Sequence, residues 1–300
     1  MNTTIQDILI NWNLQGTITE LQSNTWEINK QYILKSYDDE DLLKRNIQIL
    51  HCLHSCNVPV PQIHILSNGN DYLSNGKEYY LLMSKLPGKR LNSINQAPAK
   101  LARQMGSAIG TLHCAFQTCE KQFTFWDNNF LNELKGWIYD SFATNNWSYL
   151  AKETYLAVVD KLATAYPTLP KQLIHRDVHF GNFLFEEESF TGYIDFDLSQ
   201  RNIRIFDLAY FLLGLLSERT TNQLTDENWL IAVANTIEGY ECQQPLIPIE
   251  KALLPTVMKG IELLFTAYFI NEQDDVHAKD AMSLYHFICN MEADLTRLCM

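Results

Sequence analysis

The sequence predicts an α+β chain in two unequal parts: a small antiparallel-sheet N-terminal lobe over residues 1–84 and a larger, mostly helical C-terminal lobe over residues 85–300. Three observations carry this. Up to Met83, short runs of branched and aromatic residues alternate with Asn-, Gly- and Ser-bearing turns, the pattern of paired strands. From Ala97 onward apolar residues recur at helical spacing. Between these helical runs, residues 175–182 and 194–197 pack three carboxylates and two histidines into polar loops beside a short apolar strand.

In chain order, Ile5, Ile8, Leu9 and Trp12 share one face of a short helix over residues 5–12. Residues 16–21 and 25–37 read as successive strands joined by a Ser23-Asn24 turn, the second running through Tyr32-Ile33-Leu34-Lys35. Residues 38–56 form an amphipathic helix whose early acids suit the positive end of the helix dipole, with Leu42, Leu43, Ile47, Leu50 and Leu53 in register. Val58-Pro59-Val60-Pro61 ends it. Residues 63–66 and 79–83 read as two further strands, followed by turn chemistry in Ser84-Lys85-Leu86-Pro87-Gly88. Helices follow over residues 99–116, 128–139 and 149–163, from Arg204 onward, and over 229–239, 249–269 and 278–298.

Composition narrows the function classes. A net charge of −12 argues against a nucleic-acid backbone or an anionic membrane as partner and suits a cationic small molecule. Seven cysteines without regular spacing indicate reduced thiols in a cytoplasmic protein. The opening MNTTIQDILINWNL has no basic stretch before an apolar core, unlike a signal peptide, and the most apolar run, residues 205–216, is too short to span a bilayer. His51-Cys52-Leu53-His54-Ser55-Cys56 matches none of the usual zinc spacings and sits on a helix with an apolar face. Trp126, Trp137 and Trp147, interleaved with Asp127, Glu133 and Asp140, read first as an aromatic core stripe and second as a cation-binding wall.

The chemistry concentrates in His175-Arg176-Asp177-Val178-His179-Phe180-Gly181-Asn182, an H-R-D-x-x-x-x-N pattern of the kind that serves phosphoryl transfer. Thirteen residues after Asn182 comes Ile194-Asp195-Phe196-Asp197, a second carboxylate after a short apolar strand. Phosphoryl transfer is largely positioning and neutralisation of charge, so these residue types belong together. Mg²⁺ takes oxygen ligands, which Asp195 and the Asn182 amide would supply, and Asp177 is left to orient an acceptor hydroxyl and take its proton. His175 is expected to pin the loop rather than act as a base.

On these residues the chain resembles the aminoglycoside phosphotransferase/choline kinase-like superfamily of small-molecule kinases, which includes homoserine-kinase-like members. The resemblance covers residues 16–269. It is most specific in residues 175–182, in Ile194-Asp195-Phe196-Asp197 and in Phe206-Asp207-Leu208-Ala209, with weaker echoes in Leu86-Pro87-Gly88 and Leu112-His113. It implies a two-lobed protein-kinase-like fold with ATP in the cleft between the lobes. Lys35 would hold phosphates beneath the turn that carries Ser23 and Asn24. Met83, Ser84, Lys85 and Leu86 would hold the adenine, and Asn182 and Asp195 the Mg²⁺. Asp197 would add a third carboxylate near the metals, or pair with Arg201 or Arg204, and Asp207 would give structural support. The acceptor implied is a hydroxyl on a small molecule such as an aminoglycoside, an amino alcohol or a homoserine-like compound.

Two rival classes remain in view. A protein kinase fits the literal H-R-D, but only twelve positions separate Asp195 from Asp207, too few for an activation loop. A non-catalytic nucleotide-binding pseudokinase is favoured by one departure: Asn46 stands where the resemblance expects a glutamate paired with Lys35, with Glu40, a turn or two early, as the alternative partner.

Overall fold

The computed structural model describes residues 4–76, 78–91, 93–217 and 224–299. Helix α1 (Ile5–Leu9) is held by a capping box between Thr4 and Asp7 and runs into a 3₁₀ turn, where the Trp12 indole donates to the His64 carbonyl at 2.7 Å. Five strands, β1 (Ile18–Gln22), β2 (Thr25–Ile28), β3 (Tyr32–Tyr37), β4 (Leu73–Asn75) and β5 (Glu78–Ser84), pair antiparallel in the order β1-β2-β3-β5-β4. Side chains alternate across this sheet. Ile28, Leu34, Tyr80 and Leu82 therefore close a small core with Ile8, Leu9 and Trp12 on one face. Ile33 and Lys35, their neighbours in β3, point to the other face, opposite Met83 and Leu81 in β5.

Two strand expectations need correction. The run 25–37 is two strands, not one, because Asn29 and Lys30 adopt left-handed φ values of 53° and 61° and turn the chain between them. The turn carries Asn29-Lys30-Gln31, with no glycine or proline to mark it. Residues 63–66 are not a strand: Ile63 makes an isolated bridge to Met83, and β4 pairs with β5 instead. Helix α2 (Glu40–Ser55) starts at Asp39, whose carboxylate accepts from the Asp41 and Leu42 amides. Its buried stripe holds Leu43, Asn46, Ile47, Leu50 and Leu53, so one amide side chain lies among aliphatic ones.

The remainder is largely helical: α3 (Pro98–Gln122), α4 (Phe130–Lys135), α5 (Trp137–Thr144), α6 (Lys152–Ala165), α7 (Ile205–Ser217), α8 (Asp226–Glu241), α9 (Pro248–Asn271) and α10 (Asp275–Cys299). The helix expected over 128–139 breaks at Gly136, whose φ of −104° and ψ of −115° are not helical. Short strands interrupt the helices: β6 (Lys89–Arg90) with β8 (Phe183–Glu186) and β9 (Ser189–Tyr193), and β7 (Lys171–Ile174) with β10 (Gln200–Ile203). Gly88 leads into β6 with φ of 98°, where an added Cβ would lie 2.4 Å from the Thr191 hydroxyl, so the turn requires glycine. A buried ion pair, Arg204 forked onto Glu250 at 2.7 and 2.6 Å, ties the start of α7 to the first turn of α9. Helix α9 is long and apolar enough to cross a membrane by length and composition, but 72% of its apolar window is buried inside the fold.

Helices α3 and α8 pack closely. A Cβ on Gly106 would lie 2.0 Å from the Thr236 carbonyl oxygen, a backbone atom that cannot swing away. Gly106→Ala is therefore expected to destabilise the protein by about 1–3 kcal/mol, read as a drop in Tm in a thermal melt.

Candidate active site

The loop between β7 and β8 carries residues 175–182, and its backbone is fixed from outside. The His175 and Arg176 amides donate to the two oxygens of Asp207 at 2.8 and 2.9 Å. Asp207 lies in the first turn of α7 with no exposure, and His113 of α3 contacts it at 2.9 Å. The buried His175 ring bridges from the Ile194 carbonyl (3.2 Å) to the Asp177 amide (3.4 Å) and packs on Phe196, coupling the two motif loops. Both loops hold one strained residue: Arg176 at φ 67° and Asp195 at φ 65°. Arg176 is locked by a two-pronged bond to Glu133 of α4, at 2.8 and 2.9 Å.

Asp177 is the focus of this loop. Its Oδ1 accepts from the Tyr210 hydroxyl at 2.9 Å and its Oδ2 from Asn182 Nδ2 at 2.8 Å. The Gly181 amide donates to His179 Nδ1, and His179 Nε2 lies 3.4 Å from Asp177 Oδ2. Burial alone would raise the Asp177 pKa, but hydrogen bonding and charge from His179, the Tyr210 hydroxyl and His175 overturn it and bring the carboxyl down to about 2. Asp177 is thus a firmly ionised carboxylate throughout the working pH range.

Lys35 projects from β3 onto the second motif. Its ammonium meets Asp195 Oδ1 at 3.0 Å and also Asp197 Oδ2. Burial opposes the charged form of Lys35, but attraction to Asp197 and Asp195 outweighs it and raises the pKa. Asp197 is engaged by Lys35, Asn46 and Tyr37, not by the arginines: Arg201 pairs with Glu120 and Asp127, and Arg204 with Glu250. Glu40 is no substitute partner for Lys35, since it pairs with Lys44 and Tyr72.

A cleft of about 480 Å³ opens above these groups. It is lined by Lys35, Asn46, Asp195 and Asp197 and by Met83, Ser84, Lys85 and Leu86, which form the end of β5 and the segment that leaves it. Ser23 and Asn24 form the expected tight turn, with Asn24 at φ 63°, but both are exposed, and it is the flanking Gln22 and Thr25 that line the cleft. The donor set for a hard cation is present. Asn182 Nδ2 bonds the Asp177 carbonyl and carboxylate, which leaves its Oδ1, and Asp195 meets Lys35 through Oδ1, which leaves its Oδ2. Two such oxygens suit Mg²⁺.

The family model of the phosphotransferase enzyme family matches residues 17–245. The chain belongs to this phosphotransferase family. A homoserine kinase of Zymomonas mobilis subsp. mobilis (strain ATCC 31821 / ZM4 / CP4) is 24% identical over 255 residues, covering 79% of this chain and 72% of its own length. A homoserine kinase of Phenylobacterium zucineum (strain HLK1) is 34% identical over 128 residues, but the match spans only 42% of this chain and 37% of that protein. Among solved structures, amicoumacin kinase hAmiN in complex with AMP-PNP, Ca²⁺ and Ami superposes with a TM-score of 0.71 at 16% identity, covering 97% of this chain and 92% of that one. A microcompartment-associated aminopropanol kinase gives 0.65 at 16% identity, covering 98% of each chain. The fold is therefore kinase-like.

In this phosphotransferase, the tryptophan stripe divides. Trp147 packs with Tyr139, Phe142 and Tyr155, Glu133 is taken by Arg176, and Trp126 and Trp137 stay partly exposed. The sequence reading missed Tyr210 and His179 as partners of Asp177. Their signals were present: Tyr210 follows Asp207 by three residues, on one helix face, and His179 stands inside the motif. Tyr210→Phe removes one donor from a half-buried carboxylate, so its pKa rises. The mutant is expected to lose about tenfold in kcat, with the acidic limb of its pH–rate profile moved to higher pH.

Proposed function

We propose that this protein is an ATP- and Mg²⁺-dependent kinase that transfers the γ-phosphoryl group to a hydroxyl of a small, amine-bearing molecule. The observation that carries this reading is the Asp177 carboxylate, held ionised between Tyr210 and Asn182 next to the loop of Asp195 and Lys35. In this reading, the part ending at residue 84 and the part beginning at residue 85 are the two lobes. Met83, Ser84, Lys85 and Leu86 hold the adenine, the Ser23-Asn24 turn covers the phosphates and Lys35 binds them. Asn182 and Asp195 hold Mg²⁺, which supplies charge neutralisation at the phosphates when bound.

Asp177 orients the acceptor hydroxyl. A carboxylate with a pKa near 2 is too weak a base to remove an alcohol proton before bond formation. It takes the proton late, as the oxygen–phosphorus bond forms, which agrees with a loose transition state that needs little nucleophile activation. The acceptor class is supported by chemistry shared among the similar proteins: homoserine and aminopropanol both carry an amine and a hydroxyl. The chain's net charge of −12 favours such a cationic acceptor.

The pseudokinase alternative rested on an unanchored Lys35, and the lysine has two carboxylate partners. The protein-kinase alternative needs a long segment between the metal loop and α7, where only β10 intervenes.

ADP release with Mg·ATP, measured over homoserine, ethanolamine, choline, aminopropanol, aminoglycosides, sugars and methylthioribose, tests the reading. A rate that depends on one amine-bearing acceptor is expected, and Asp177→Asn is expected to lower it at least about 100-fold while ATP affinity stays within about twofold. Asp195→Ala is expected instead to weaken Mg·ATP binding itself by about tenfold or more. Equal turnover by wild type and Asp177→Asn would overturn the role given to Asp177.

A further inference from the structure

Helix α2 brings Asn46 to the wall of the nucleotide cleft, one turn before Leu50, which also lines it. Asn46 is 5% exposed, and its side chain is committed. Nδ2 donates to Asp197 Oδ1 and lies 3.1 Å from the Tyr37 hydroxyl. That hydroxyl in turn lies 3.3 Å from the same Asp197 oxygen. Oδ1 of Asp197 is thus held by two uncharged groups, one from α2 and one from β3, and Oδ2 is left to face Lys35.

We propose that Asn46, with Tyr37, is a positioning residue that turns Asp197 into the standing counter-ion of Lys35, so that the lysine's anchor comes from the metal-binding loop and not from helix α2. The inference rests on the phosphotransfer reading for its purpose, but the network itself is a property of the protein. Charge decides between an amide and a carboxylate at position 46. Lys35 already faces Asp195 and Asp197, a net charge of −1 for the three groups. A glutamate at 46 would add a third carboxylate in a half-buried site, against Asp197 Oδ1, at a cost that burial magnifies. An amide donates to that oxygen without adding charge.

The arrangement also divides labour between two carboxylates only two residues apart. Asp195 keeps one oxygen away from Lys35 for a cation, whereas both Asp197 oxygens have protein partners. Asp197 therefore positions Lys35 rather than ligating the metal. A small movement of α2 stretches a neutral hydrogen bond and leaves the lysine's ion pairs intact.

The test is a double-mutant cycle over wild type, Asn46→Glu, Asp197→Asn and the double variant, using the full chain. Three quantities are read: Tm without nucleotide, affinity for Mg²⁺ with a non-hydrolysable ATP analogue, and the Mg²⁺ concentration for half-saturation. Asn46→Glu is expected to lower Tm and weaken nucleotide binding by about tenfold, despite supplying a carboxylate to Lys35. Asp197→Asn is expected to weaken binding by a similar factor of about ten, with the Mg²⁺ half-saturation point changed by less than about twofold. The double variant moves the carboxylate across the same contact and is expected to recover Tm and to bind within about threefold of wild type. Additive losses in the double variant, or an Asn46→Glu protein as stable and tight-binding as wild type, would overturn the proposal. So would a large rise in the Mg²⁺ requirement of Asp197→Asn, which would make Asp197 a metal ligand. The Tm arm reads the network even in a protein that transfers no phosphate, so failure here and failure of the phosphotransfer reading are separable.

Discussion

The buried carboxylate of Asp207 accepts the His175 and Arg176 amides and contacts His113, and the placement of the loop over residues 175–182 depends on it. A charge with no exposure is tolerable only when its oxygens are satisfied. Satisfying Asp207 fixes two successive amides of the loop, and one of them belongs to Arg176 in a left-handed conformation that would otherwise be unfavourable. In that turn Asp177 projects between Tyr210 and Asn182. The motif is thus a consequence of helix α7 as much as of the loop.

A second constraint is electrostatic. Asp177, Asp195 and Asp197 gather on two adjoining loops, and the protein balances them mostly with donors that carry no charge: Tyr210, Asn182, Tyr37 and Asn46. Lys35 is the fixed cation bound to the Asp195–Asp197 pair. Such a site is prepared for a polyanion that arrives with its own divalent cation. In the proposed reading, phosphates would meet Lys35 beside Asp195 and Asp197, and Asn182 and Asp195 would offer oxygens to the cation.

Much of this was legible in the sequence because spacing alone conveys it. The H-R-D-x-x-x-x-N stretch, Asp195 after its short strand and Asp207 at the head of an apolar helix are local patterns, and the fold brings them into one connected network. Lys35 was legible as the tail of an apolar strand, although the Asn29-Lys30 turn that starts this strand was not. Asn takes a positive φ readily but Lys seldom does, so Asn29-Lys30 does not mark a turn as Asn-Gly would. Contacts between distant segments were not legible at all. Asn46 looked like a missing glutamate because its partner, Asp197, lies 151 residues further on, and only the packing of α2 across the cleft joins them. Edge strands failed for a similar reason: β4 has three residues, and pairing with β5, rather than any pattern of its own, makes it a strand.

The most direct measurement of the central claim is ³¹P NMR of the protein with Mg·ATP and an amine-bearing alcohol such as homoserine or aminopropanol. The account predicts a new phosphomonoester resonance that grows in step with ADP. ATP bound in the cleft with no phosphoester from any hydroxyl acceptor, or phosphate appearing on the protein itself, would contradict it.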